Sequence, residues 1–131
     1  NYNNTTGGIW SNTDLNLKLI DTGVNPTVNA SIWMNGVRRF DEREGTYFNT
    51  IQPYQHHTNS PAVGINVYSF SIEPENHQPS GTCNFSKIDD AQINVTVTEQ
   101  ASKRNMSMRV YALSYSILRI SNGAAGLAYS L

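Results

Sequence analysis

Residues 93–98 read INVTVT, and apolar and polar side chains alternate through them without a break: Ile93, Val95 and Val97 fall on one side of an extended chain, Asn94, Thr96 and Thr98 on the other. Branched side chains at alternate positions favour a half-buried strand, and its register is firmly fixed, because a slip of one residue would turn the whole apolar set into water. The same period of two recurs upstream. Leu15, Leu17 and Leu19 alternate with Asn16 and Lys18, Ala30 to Val37 puts Ile32 and Met34 opposite Trp33, and Ile65 to Ile72 aligns Tyr68, Phe70 and Ile72 as a stripe. Downstream, Met106 to Ile120 is expected to form one long strand, bent or bulged near Ser114 or Ser116. Large residues on both of its faces, Met108, Val110 and Leu118 against Tyr111, Leu113, Tyr115 and Ile117, predict a central strand covered on both sides. Turn-forming clusters, DTGVNPT, HTNSPAVG, EPENHQPSG and SNGAAG, separate these segments, and no helical period persists. The pattern predicts an all-β, antiparallel sandwich or jelly roll.

A chain of 131 residues fits one domain, able to bury roughly two thirds of its unfolded surface. Charged residues make up only 15% and the net charge is −1, so no basic patch stands out for direct contact with nucleic acid. No apolar run approaches the roughly 20 residues of a transmembrane segment. Cys83 is the single cysteine, which rules out an internal disulfide. The opening NYNNTTGG is polar and turn-rich and lacks an initiator Met, which leads us to expect a piece of a longer polypeptide.

Between Phe40 and Tyr54 the pattern is irregular. The charged run Asp41, Glu42, Arg43, Glu44 followed by Gly45 suggests a single helical turn ended by glycine, and Pro53 is expected to disfavour helix at Gln52. Chemistry-bearing residues form no recognised constellation. His56 and His57 point opposite ways on an extended chain, His77 is some twenty residues on, and no metal-ligand spacing links them, so no metal or cofactor is expected. Cys83 with His77 lacks any protease signature, and Glu73 and Glu75 read as a solvated loop, so no catalytic residue is assigned. Arg38, Arg39, Asp41 and Arg43 have two readings: ion pairs across a subunit boundary, or pins holding their own loop. Tyr47, Phe48, Tyr54 and Trp10 likewise either anchor an interface or pack beneath their own loops. Six Asn-Xaa-Ser/Thr sequons occur, at Asn3, Asn4, Asn29, Asn84, Asn94 and Asn105; in so Asn-rich a chain they are weak signals of glycosylation.

Three ordered segments carry a family resemblance: NGVRRFDEREGTYFNTIQPYQHHT at 35–58, INVYSFSIEPENHQPSGTCNFSKIDDA at 65–91 and VYALSYSILRISNGAAGLAYS at 110–130. Together they resemble the second jelly roll of the major capsid proteins of nucleocytoplasmic large DNA viruses, of the algal-virus, iridovirus and giant-virus type. SNGAAGLAYS departs from the Met- and Gly-rich form expected there. The resemblance covers about Val28 to Leu131, and implies that residues 28–131 belong to a C-terminal jelly-roll domain, the incomplete second half of a double jelly roll. Residues 1–27 then read as a variable loop or insertion with one strand. It further implies a structural protein rather than an enzyme: a homotrimeric, pseudo-hexagonal capsomer that tiles an icosahedral shell with neighbouring capsomers, penton and minor capsid proteins, assembled in the host cytoplasm and residing in the virion. The competing reading from the residues is a carbohydrate-binding jelly-roll module, which would set Trp10, Trp33 or Tyr54 on an exposed concave sheet. A metal-dependent enzyme of cupin type would need histidines gathered on neighbouring strands.

Overall fold

The computed structural model describes residues 24–128. The expected strand at Leu15–Leu19 and Trp10 lie outside them. Strands outnumber helices, and every strand pair is antiparallel. The organising strand is β1 (Thr27–Met34), which pairs along its length with β4 (Ala91–Val97), the segment that contains Ile93, Val95 and Val97. On its other edge β1 pairs with two short strands in turn, β2 (Val37–Arg38) and β3 (Arg43–Glu44).

Register follows from side-chain alternation. Ile32 lies opposite Ile93 and Ala30 opposite Val95, so the apolar sets of β1 and β4 share one face. Ser31, Trp33, Asn94 and Gln92 share the other. A bulge between Thr27 and Asn29 shifts the register at the start of β1.

The expected strand across Ala30–Val37 stops at Met34. Asn35 and Gly36 adopt left-handed backbone angles (φ 50° and 78°) and close a two-residue hairpin, for which Asn-Gly is the preferred pair. The helical turn expected at 41–45 is also absent: Arg43 and Glu44 form β3, and Gly45 is buried where a Cβ would sit 2.1 Å from the Thr27 carbonyl oxygen. Helical backbone begins instead at Gly45 and runs into a wide turn, Tyr47–Ile51, closed by a bond from the Gln52 N–H to the Tyr47 carbonyl. It continues as α1 (Gln52–His56). Pro53 lies inside this continuous helical run and fits because the Phe48 carbonyl, which an N–H at position 53 would meet in a wide turn, accepts from the Val67 N–H instead. A single 3-10 turn (Phe85–Lys87) and the short α2 (Glu99–Ser102) complete the helical content among the described residues.

Two further expectations are corrected. Ile65–Ile72 is extended but belongs to no ladder; Val67 donates to the Phe48 carbonyl at 2.9 Å, so the segment lies against the helical turn rather than in the sheet. Met106–Ile120 is not one central, covered strand. Residues 106–117 form no ladder and are exposed, and only β5 (Leu118–Ser121) pairs, with β6 (Ala124–Leu127), in a separate two-stranded ribbon exposed on both faces. The large side chains that predicted double coverage are present, but nothing among the described residues covers them.

Candidate assembly surface

The part of the chain that packs on itself is a file of aromatic rings. Phe85, Phe70, Tyr68, Phe40, Phe48 and Tyr47 follow one another with centroid separations of 5.4, 5.0, 5.0, 5.8 and 5.2 Å. Tyr68 and Phe70 both turn to this file, so two members of the expected stripe pack together, while the third, Ile72, is exposed and the strand itself is absent. Phe48, 4% exposed, is the one buried ring of the file, and Pro53 and Ala101 are further buried apolar residues among those described. Gln52, buried beside them, is satisfied: its Nε2 donates to the Tyr47 hydroxyl at 2.8 Å, and its Oε1 accepts from the Ser69 N–H at 3.3 Å.

Two of the charged residues flagged in the sequence, Arg38 and Arg43, lie over rings rather than against carboxylates. The Arg38 guanidinium lies 4.9 Å from the centroid of Trp33, its cross-strand partner, and that of Arg43 lies 4.5 Å from Tyr47. Arg39 is tied by its backbone N–H to the Ile32 carbonyl at 2.8 Å, leaving its side chain exposed, as is that of Asp41. Tyr54 points off α1 and is 86% exposed. Trp33 is half-buried with its Nε1 donating to Ser31 Oγ at 3.1 Å, so neither residue forms an aromatic platform on an open sheet.

A polar clasp joins the end of α1 to the loop at 72–76. His57 Nδ1 lies 3.2 Å from Glu75 Oε1, the Thr58 N–H donates to Glu75 Oε2 at 3.1 Å, and His56 Nδ1 lies 2.7 Å from the Ile72 carbonyl. A carbonyl can only accept, so His56 carries its proton on Nδ1. Hydrogen bonding from Thr58, first through its side chain and then its backbone N–H, with His57 adding to it, outweighs desolvation and lowers the Glu75 pKa. His77 is exposed and Cys83 lies with its Sγ 3.9 Å from Met34 Sδ. Among the described residues no three His, Cys, Asp or Glu side chains gather as a metal site, and no helix is long and apolar enough to cross a membrane.

The sequons fall in unlike settings. Asn29 is half-buried in β1, Asn94 is exposed in β4, Asn105 is exposed outside any element, and Asn84 caps the 3-10 turn, its Oδ1 accepting from the Ser86 N–H at 3.1 Å and from the Ser86 hydroxyl. Asn3 and Asn4 lie outside the described residues.

What remains is a large uncovered apolar surface. Val28, Ile93 and Val97 on the main sheet are exposed, as are Met108, Val110, Tyr111, Leu113, Tyr115, Ile117, Leu118, Ile120 and Leu127 downstream. The outer edge of β4 also carries no strand among the described residues. A piece of a jelly roll that lacks its opening strands is expected from the sequence to leave sheet edges for something else to cover, but periodicity does not report which faces stay open.

Comparison with known proteins gives this surface its context. Residues 1–126 match the family described as large eukaryotic DNA virus major capsid protein. The chain is 50% identical over 125 residues to the major capsid protein of Chrysochromulina ericina virus, covering 94% of this chain and 21% of that protein. It is 54% identical over 110 residues to the major capsid protein of Phaeocystis pouchetii virus, covering 82% and 21%. Among solved structures, a quasi-atomic model of the PBCV-1 virus capsid aligns with a TM-score of 0.68 at 36% identity, over 85% of this chain and 33% of that one. The chain thus spans about a fifth of the length of the two viral relatives. With a family match over nearly its whole length and half its residues shared with capsid proteins, this chain belongs to the large eukaryotic DNA virus major capsid protein family.

Proposed function

We propose that the chain is a portion of a shell-building protein whose complete polypeptide carries two jelly rolls and assembles as pseudo-hexagonal homotrimers into an icosahedral capsid. The observation that carries this reading is the uncovered apolar surface of β1, β4 and residues 106–127, in a chain about one fifth as long as its relatives. A jelly roll needs a second layer over such a face, and the remaining length of a longer polypeptide supplies strands for it. In this reading residues 28–131 lie in the C-terminal jelly roll, whose strand β1 begins at Thr27, and residues 1–27 are a variable insertion. The protein works by shape and adhesion and needs no reactive group, in keeping with a structural rather than enzymatic family.

Subunit contact is assigned to residues that their own fold leaves outward: Tyr54, the Arg39 and Asp41 side chains and the open face of Arg38. Phe48, Tyr47 and Arg43 serve within the domain. Neighbouring capsomers, penton and minor capsid proteins are the partners of the finished shell, which resides in the virion after assembly in the host cytoplasm. Light scattering on the complete polypeptide tests the reading: a trimer mass is expected, and a monomer across a broad concentration range would refute it.

A further inference from the structure

The chain contains two Asn-Gly pairs, Asn35-Gly36 and Asn122-Gly123. Each closes a two-residue hairpin, and the two turns share one backbone geometry, φ 50° at Asn and 78° at Gly in both. Sequence and local conformation therefore make them equivalent. Their surroundings do not.

Asn35 is clamped. Its Oδ1 accepts from the backbone N–H groups of Asp89 at 3.0 Å and Asp90 at 3.1 Å, and its own N–H donates to the Asp90 carbonyl at 2.8 Å. The turn also ends β1, which β4 holds from Thr27 to Met34. Asn122 is exposed and its side chain makes no hydrogen bond among the described residues. The β5–β6 ribbon that it closes pairs with no other strand among the described residues, so the two Asn-Gly turns differ in the hydrogen bonds their side chains hold.

We propose that Asn122 is a site of spontaneous deamidation with water as the only co-reactant, and that the same chemistry is suppressed at Asn35 by its clamp. The backbone nitrogen of Gly123 attacks Asn122 Cγ. A C–N bond forms, closing a five-membered succinimide ring, and the Cγ–Nδ2 bond breaks. The side-chain nitrogen leaves as ammonia, taking its two hydrogens and the proton released by the Gly123 nitrogen. Water then opens the ring at one carbonyl or the other, giving aspartate or isoaspartate, with no change of oxidation state. Glycine allows the attack because no side chain shields its nitrogen and its backbone turns freely once the hairpin opens. At Asn35 the side chain must rotate over the following nitrogen, and that rotation breaks both bonds to Asp89 and Asp90.

The two products differ in effect. Aspartate still suits a two-residue Asp-Gly turn. Isoaspartate inserts an extra carbon into the backbone and abolishes the pairing from Leu118 with Leu127 to Ser121 with Ala124.

The test is peptide mass mapping, with enzymatic methylation of isoaspartate, on the complete capsid protein warmed at mildly alkaline pH. Asn122 should convert about tenfold faster than Asn35 or more, the ratio that two retained hydrogen bonds support. In strong denaturant the two sites should react at similar rates, since the fold alone separates them. Equal rates in the folded protein, or an intact Asn122 where the denatured control reacts, would overturn the proposal. So would a rate difference that persists in denaturant.

Discussion

At the scale of single residues, several positions are decided by one close contact each. Gly45 is the sharpest case: a methyl group there would overlap the Thr27 carbonyl at 2.1 Å, and β3 could no longer lie beside β1. Gly45→Ala should destabilise the protein by roughly 1–3 kcal/mol, measured as a lower urea midpoint. Glu75 supplies a pH-dependent contact. Its folded pKa lies below the ordinary value of 4.5, so the clasp contributes stability above that value and loses it as pH falls through the lower, folded one. Limited proteolysis of the loop at 72–76 should therefore begin only at a pH below the usual carboxylate range, and Glu75→Gln should remove that dependence. Neither contact was legible beforehand. Gly45 read as a helix terminator and Glu75 as a solvated loop carboxylate, because each role depends on residues far away in sequence, Thr27 in one case and His57 with Thr58 in the other.

At the scale of elements, agreement was closest where alternation and ladder coincide. Residues 93–97 lie in β4, where Ile93 and Val95 meet Ile32 and Ala30 of β1 as a strict period of two requires, and Thr98 leaves the strand to cap α2. Disagreement arose where local signals competed. Asn35-Gly36 ended a strand that the apolar pattern would have carried to Val37, since left-handed backbone at both positions suits that pair. Pro53, read as a helix breaker, is accommodated inside the helical run because a wide turn precedes it and Val67 takes the carbonyl its missing N–H would have met. The extended stretch at 65–72 kept its aromatic stripe without joining a sheet, since its rings found Phe40 and Phe85 rather than a neighbouring strand. The ring file predicts a large penalty at its one buried ring. Phe48→Ala should lower stability by about 3–5 kcal/mol in denaturant titration, against little effect for Phe48→Leu by comparison. Arg38→Ala should expose Trp33, seen as a red shift of its fluorescence, with a stability loss of about 1 kcal/mol or less.

At the scale of the whole molecule, the described residues bury little of their own apolar surface, and the assembly reading turns on that imbalance. If residues 106–127 and the open sheet face are covered in the complete protein, the 131-residue piece alone should bind a hydrophobic dye strongly and associate as concentration rises, whereas the complete trimer should do neither. Within the trimer, Tyr54→Ala should weaken association, read as dissociation at higher protein concentration, while leaving the unfolding midpoint of the separated subunit unchanged. The sequence by itself determined the antiparallel β character, the faces of β1 and β4 and the family, because these depend on local alternation and on motif order. Only the tertiary structure decided that Met106–Ile117 stays outside any ladder, that Arg38 and Arg43 rest on rings, and that one Asn-Gly turn is clamped while its twin is free. Those outcomes depend on which distant backbone and side-chain groups come within contact distance, and burial is a property of that arrangement rather than of any one stretch of chain.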